Sequence, residues 1–300
     1  MLLACVVCLA LMGQQPDIRA APPLALEQVP LVPRLPDGGA MGTVSSVAVG
    51  SDGVIYILQR GDKADPVIAI NRDGRVLRSW GRGMFTVPHG IRVDGDGNIW
   101  TVDAGSSMVL KFSPEGRKLA EIAVGEIATG KNCAFPTLCG TTDIAFGPGG
   151  RLFISDGYGN PRILEYNASG QRIKVWGQAG SGPGQFQIPH GIATDGRVIY
   201  VADRGNSRIQ RFDLDGRYLG EWTHLGRPFA LKLSGVSLMT LEATGASPWM
   251  IKVDPASGKP LGQIEFPGPH PIDVNASGEL FAGGCCGGSN PRGAFLLRAH

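Results

Sequence analysis

Three hundred residues with 28 Lys+Arg against 26 Asp+Glu lie near charge balance, and no basic cluster breaks that balance, which argues against a nucleic-acid footprint. The chain holds 45 Gly and 22 Pro and has no long stretch of helical apolar spacing, so an extended helical core is excluded. What remains is a series of short Val-, Ile-, Phe- and Trp-rich runs broken by D-G and G-G pairs, the pattern of strands joined by tight turns.

In chain order, MLLACVVCLALMG opens the sequence with an apolar run of signal-peptide length, too short to span a bilayer. A basic n-region is missing, and Gly13 and Ala20-Ala21 offer small residues for cleavage. Residues 1–21 therefore read as a signal peptide and 22–300 as one domain, exported to the periplasm or secreted. Cys5 in LLAC would resemble a lipoprotein box if further sequence preceded it. Beyond the leader stand Cys133, Cys139, Cys285 and Cys286, an even set that suggests one or two disulfides in an oxidising compartment. Cys133 with Cys139, or either with the Cys285-Cys286 pair, are the open pairings. Zinc binding by these four cysteines is disfavoured, since no C-x-x-C pair is present among them.

The middle of the chain repeats itself. DGNIWTVDAGSSMVLKF (96–112), GGRLFISDGYGNPRILEY (149–166) and DGRVIYVADRGNSRIQRF (195–212) each read turn, strand, Asp, polar loop, strand ending in an aromatic. A short strand precedes each (HGIRVD, TDIAFG, HGIATD), and a second turn with a further strand follows. The unit is four strands in about 40–50 residues, the length of a propeller blade. Weaker copies span 45–81, 229–266 and 271–299, and the last stops before a fourth strand. The run LALEQVPLVP (24–33) is placed to supply it and close the ring. The sequence predicts an all-β, six-bladed propeller.

The register of the blades gives the histidines a meaning. At the start of each first strand stand Ser45, His89, Thr142, His190, Phe229 and His270. In a six-bladed ring, alternate blades lie about 120° apart, and first strands line the central channel. His89, His190 and His270 thus converge on one point, as a three-histidine zinc site with an open fourth position requires. His224 and His300 fall outside this register and read as surface residues. A second layer follows the second strands: Arg60, Ala104, Gly157, Arg204 and Cys285, with Tyr158 one residue beyond its blade's position. Two guanidiniums suit a carboxylate, and a phenol beside cationic charge is favoured as phenolate and can act as base. Arg208 reads as a structural partner.

ADRGNSRIQRF follows the NHL-repeat pattern almost letter for letter. Together with ILQRGD, VPHGIRVDGDGNIWTVD, ISDGYGNPRI, GPGQFQIPHGIA and GPH, it resembles the peptidyl-α-hydroxyglycine α-amidating lyases. The resemblance implies zinc on His89, His190 and His270, Tyr158 as base, and Arg60 and Arg204 as active-site arginines. It implies conversion of a peptidyl-α-hydroxyglycine into an amide and glyoxylate. It also implies a structural calcium, held in part by an aspartate after the third histidine. Pro271 stands there instead, which puts calcium in doubt, although Asp273 is near. Gly268 and Gly159 replace a methionine and a cysteine of the family's pattern. The expected partner is a small peptide-like or α-hydroxy-carboxylate substrate, with no nucleic acid, no membrane span and a monomeric chain. The alternatives are a non-catalytic NHL propeller that binds a protein or ligand and, ranked lower, a metal-dependent lactone hydrolase.

Overall fold

Glycine-marked turns cut the chain into strands of about five residues, and these pair in sequence order. A computed structural model describes residues 18–36, 39–125, 138–244, 247–266, 268, 270, 272–283 and 293–299. Among them are six four-stranded antiparallel sheets. Blade one is Val44–Val49, Ile55–Gln59, Val67–Ile70 and Val76–Trp80; blade two is Pro88–Val93, Ile99–Asp103, Met108–Phe112 and Lys118–Ala123. Blade three is Asp143–Phe146, Leu152–Asp156, Arg162–Tyr166 and Arg172–Trp176; blade four is Pro189–Thr194, Val198–Asp203, Arg208–Asp213 and Tyr218–Trp222. Blade five is Pro228–Ser234, Ser237–Glu242, Trp249–Val253 and Pro260–Glu265. Blade six combines Ile272–Val274, Leu280–Gly283 and Ala294–Ala299 with Leu26–Leu31, which pairs antiparallel with Ala294–Ala299 from Leu26 opposite Ala299 to Leu31 opposite Ala294.

The protein is a six-bladed β-propeller, all-β as its turn pattern predicts. First strands of successive blades pack against one another around the ring and are almost wholly buried, whereas fourth strands such as Lys118–Ala123 lie open to solvent. The hydrophobic core is correspondingly divided. Six clusters of buried side chains occur, one at each blade-to-blade junction, including the junction of blades six and one through Phe281, Leu296, Val47 and Ile57.

A tryptophan–glycine contact recurs at the rim. Trp80, Trp176 and Trp222 each end a fourth strand and lie over a turn glycine of the next blade: Gly116, Gly216 and Gly258. A Cβ at Gly116 would come within 2.7 Å of the Trp80 ring, and its φ of +89° is one that favours glycine. A short parallel pair, Gln178–Ala179 with Gln185–Phe186, projects between blades three and four. Two-residue strands carry no periodicity, and the sequence had not indicated them. Most of the expected leader lies outside the described residues, among which no helix is long and apolar enough to cross a membrane.

Candidate active site

The aspartate that ends each NHL-type second strand fixes the loop at the channel mouth. Asp103 accepts from the amides of Val87, Gly105 and Ser106, at 2.9, 2.8 and 3.1 Å. Asp203 accepts from the Gln187 amide at 2.7 Å and Arg208 Nε at 2.8 Å; Arg208, also paired with Glu221 at 2.9 Å, has the structural role its position suggested. Asp156 takes Arg162 Nε at 2.9 Å and Asn160 Nδ2 at 3.1 Å. Arg204, directly after Asp203, and Tyr158, two residues beyond Asp156, stand on these loops beside the histidines. Gly157 permits one of these turns: a Cβ there would sit 2.0 Å from the Pro189 carbonyl oxygen. The tyrosine loop of blade three therefore lies directly on the first strand of blade four.

On the axis the three histidines meet. Ring centroids of His89, His190 and His270 are 5.0, 5.0 and 5.4 Å apart, and one nitrogen from each lies within 4.8 Å of the others. All three are buried. Each Nδ1 faces a main-chain carbonyl: Thr142 for His89 at 2.7 Å, Phe229 for His190 at 2.6 Å, Ser45 for His270 at 2.9 Å. A carbonyl can only accept, so each Nδ1 carries the proton and each Nε2 points its lone pair inward. The three acceptors are the residues that occupy the histidine position in the intervening blades. Even-numbered blades supply imidazoles and odd-numbered blades brace them. The register had identified Ser45, Thr142 and Phe229 as equivalents but not this task, which belongs to their carbonyls and leaves no trace in residue type.

Tyr158 Oη lies 3.0 Å from His89 Nε2 and 2.9 Å from His190 Nε2. One hydroxyl has one proton, so two of the three inward lone pairs find no donor in this set. Such a cluster is costly as it stands and is satisfied by one electrophile at its centre. The donor set therefore fits a metal ion. The three nitrogens, within 4.8 Å of one another, lie close to the spacing that imidazoles sharing one zinc ion would need, with bonds of about 2.0–2.1 Å. The carbonyl partners are the outer contacts that fix metal-binding imidazoles elsewhere.

Electrostatics agree with a neutral, ligand-ready cluster. Burial first, then neighbouring histidines and arginines, hold His89 and His190 well below their ordinary pKa, and burial with Arg60 takes His270 down to about 3. Arg204 Nη1 reaches Tyr158 Oη at 3.4 Å, with its guanidinium 4.2 Å from the centroid of the Phe229 ring, and Arg60 Nε donates to the Pro88 carbonyl at 2.8 Å. For Tyr158 the outcome differs from the sequence reading. Both arginines lower its pKa as expected, but burial of the phenol outweighs them and the net shift is upward. The structure thus brings all six expected side chains to one end of the channel. Of the cysteines only Cys139 is described, its amide donating to the Ala104 carbonyl at 3.0 Å. Cys133, Cys285 and Cys286 lie outside the described residues, and the pairing with them. His224 is half-buried rather than free on the surface, its Nε2 2.8 Å from the Gly258 carbonyl. His300 and Pro271 lie outside the described residues.

A second polar layer, unforeseen from sequence, fills the channel with the next residues of the first strands. Arg92 makes a two-point contact with Asp143, at 3.0 and 2.6 Å, and donates to the carbonyls of Ile272 at 2.8 Å and Leu231 at 3.4 Å. Asp143 also accepts from the Ile192 amide at 3.3 Å. The two oxygens of Asp273, two positions beyond Pro271 in sequence, are engaged by the Val49 amide at 2.9 Å and Lys232 Nζ at 2.5 Å. A divalent cation would have to displace these contacts, and the donor set does not fit one.

The NHL-repeat family model matches residues 186–212. A peptidylglycine alpha-amidating monooxygenase of Rattus norvegicus is 29% identical over 290 residues, covering 81% of this chain and 29% of that protein. A probable peptidyl-alpha-hydroxyglycine alpha-amidating lyase of Caenorhabditis elegans is 30% identical over 212 residues, covering 64% of this chain and 59% of that protein. The chain thus spans less than two thirds of these relatives. Among solved structures, a streptogramin B lyase superposes with a TM-score of 0.59 at 15% identity, over 92% of this chain and 98% of that one, a likeness of fold alone. Repeat, ring and relatives converge: the chain is an NHL-repeat six-bladed β-propeller that resembles the peptidyl-α-hydroxyglycine α-amidating lyases.

Proposed function

We propose that this protein is an exported, zinc-dependent carbon–nitrogen lyase that cleaves an α-hydroxyglycine-type substrate to an amide and glyoxylate. One observation carries the reading: Tyr158 Oη bridges two of three inward-facing imidazoles at a buried point flanked by Arg60 and Arg204. The relatives' names are in keeping with it.

His89, His190 and His270 would hold the metal, which supplies Lewis-acid polarisation of a substrate oxygen when bound. The residues do the rest. The guanidiniums of Arg60 and Arg204 bind the substrate carboxylate and pull the Tyr158 pKa down against burial, which outweighs them in the metal-free protein; the positive charge of a bound metal would add to theirs and leave Tyr158 as the phenolate the reaction needs. Tyr158 takes the proton of the α-hydroxyl. The O–H electron pair becomes the new C=O bond, and the C–N pair leaves on nitrogen. Nitrogen then takes up the proton that Tyr158 removed, so amide and glyoxylate form with no other reactant. The first strands exclude bulk water from beneath the site.

Metal content and glyoxylate release from α-hydroxyhippurate test the proposal. Wild type is expected to hold one zinc and release glyoxylate, and His190→Ala to lose both. Tyr158→Phe should keep its metal and lose about 10²–10⁴-fold in kcat. Full activity in His190→Ala would overturn the mechanism.

A further inference from the structure

Arg60 and Arg204 each directly follow the residue that closes a second strand, and their two blades treat that residue differently. In blade four it is Asp203, whose carboxylate is paired with Arg208 Nε at 2.8 Å. Asp103 of blade two takes main-chain amides instead, from Thr86 at 2.5 Å to Ser106 at 3.1 Å, and the residue after it is Ala104. In blade one the position holds Gln59, which carries no charge. Its main-chain N–H donates to the Pro66 carbonyl at 2.9 Å, so a proline stands where blade four places Arg208 opposite Asp203.

Gln59 is fully buried, and both polar atoms of its side chain are engaged. Oε1 accepts from the amides of Gly42 at 2.7 Å and Gly61 at 2.5 Å, the task the aspartates perform in their blades. Nε2 faces the carbonyls of Gly61, Ala64 and Asp65 at 3.1, 3.0 and 3.1 Å. A carboxylate could do the first task but not the second, having no proton to offer a carbonyl oxygen. The loop that begins at Arg60 is thus wound about an amide. Of the acids in that loop, Asp65 is engaged by Ser79 Oγ at 2.7 Å and Arg82 Nε at 3.1 Å, and Asp62 is exposed.

We propose that Gln59 is a specificity-determining positioning residue: its uncharged amide latches the Arg60 loop and keeps a carboxylate of this chain from competing with that of the substrate for the Arg60 guanidinium. This rests on the lyase reading above, in which Arg60 takes the substrate carboxylate, and adds a residue that acts through Arg60 alone. Guanidinium and carboxylate form paired, charge-assisted hydrogen bonds. An acid at position 59 would satisfy in the free enzyme what the substrate must satisfy on binding. Asp203 avoids this through Arg208; position 59, opposite a proline, avoids it by being an amide.

The test gives zinc-loaded protein benzoylglycine and benzoylglycinamide in calorimetry, and α-hydroxyhippurate for turnover. Wild type should favour the carboxylate probe. Gln59→Glu should cut that preference about ten-fold, the size of one charged hydrogen bond, and raise KM for α-hydroxyhippurate more than it lowers kcat. A merely structural role would weaken both probes alike. Thr86 is exposed and lines the same cleft as Gln59 and Arg60, between blades one and two. Thr86→Glu therefore brings in the same charge with little demand on folding, and should lower the preference in the same direction. A wild type without the preference, a preference unmoved in Thr86→Glu, or equal weakening of both probes in Gln59→Glu overturns the assignment. Relative affinities that shift as stated, in a protein that never turns over α-hydroxyhippurate, keep the role of Gln59 and sink the lyase reading. Turnover with an unmoved preference does the reverse.

Discussion

Each imidazole at the centre is held by a pairing of one side chain with one carbonyl of the neighbouring blade, and that pairing has a pH signature. In the metal-free protein the three rings are kept neutral, and His270 titrates only near 3 against an ordinary value of 6.5. Unfolding restores the ordinary value, so between the two the unfolded chain binds more protons. Stability is therefore full above about pH 6.5 and is lost as pH falls toward 3. Denaturant midpoints of metal-stripped protein should drop steadily from pH 7 to pH 4, and His270→Gln should flatten that dependence. An equal slope in variant and wild type would count against the burial argument. At this scale much was legible: a repeat turns distant histidines into angles, so His89, His190 and His270 were identifiable together. The braces were not, because main-chain acceptors at Ser45, Thr142 and Phe229 look alike in any residue type. The net effect on Tyr158 was also out of reach, since neighbouring charges can be guessed from register but the extent of burial cannot.

Among the elements, the rim contacts give the clearest test. Gly116 meets the Trp80 ring and has a left-handed φ; Gly170 has a similar φ of +77°, and a Cβ added there would meet nothing within 4 Å. Gly170→Ala should cost only the left-handed penalty of about 1–2 kcal/mol. Gly116→Ala should cost about 1–3 kcal/mol more through overpacking against Trp80. Equal losses in chemical denaturation would show that the tryptophan gives way freely. Strand order and turns were readable here because the Asp-Gly and Gly-Gly punctuation recurs at blade spacing. The Gln178–Ala179 arm escaped notice because its form depends on Asn206 and Arg208, distant residues that reach back to its carbonyls.

For the whole molecule, the Arg92 layer links every blade: Arg92 from the second, Asp143 from the third, Ile192 from the fourth, Leu231 and Lys232 from the fifth, Ile272 and Asp273 from the sixth, Val49 from the first. A guanidinium supplies the positive charge that ties these carbonyls and carboxylates together. Arg92→Met would leave Asp143 buried without its partner, at a cost of about 3–5 kcal/mol. Millimolar calcium should leave the thermal midpoint of the zinc-loaded wild type where it was, and a clear rise would reveal a cation site elsewhere. Sequence offered no hint of this, since an arginine in HGIRVD sits where strand alternation would place a solvent-facing residue.

The ring is closed by a non-covalent joint inside blade six, where the strand that leads on into blade one meets the last strand, and the seam from there to blade one is crossed at several depths. Leu26–Leu31 clips onto Ala294–Ala299 at the rim, Arg72 pairs with Glu279 at the surface, Asp273 holds the Val49 amide, and His270 leans on the Ser45 carbonyl at the axis. The third histidine reaches its place only when the first and last parts of the chain have met. Competence to gather three imidazoles is thus a property of the closed ring, and a truncated or unclosed copy, however well its individual blades fold, would carry the residues of the site without the site.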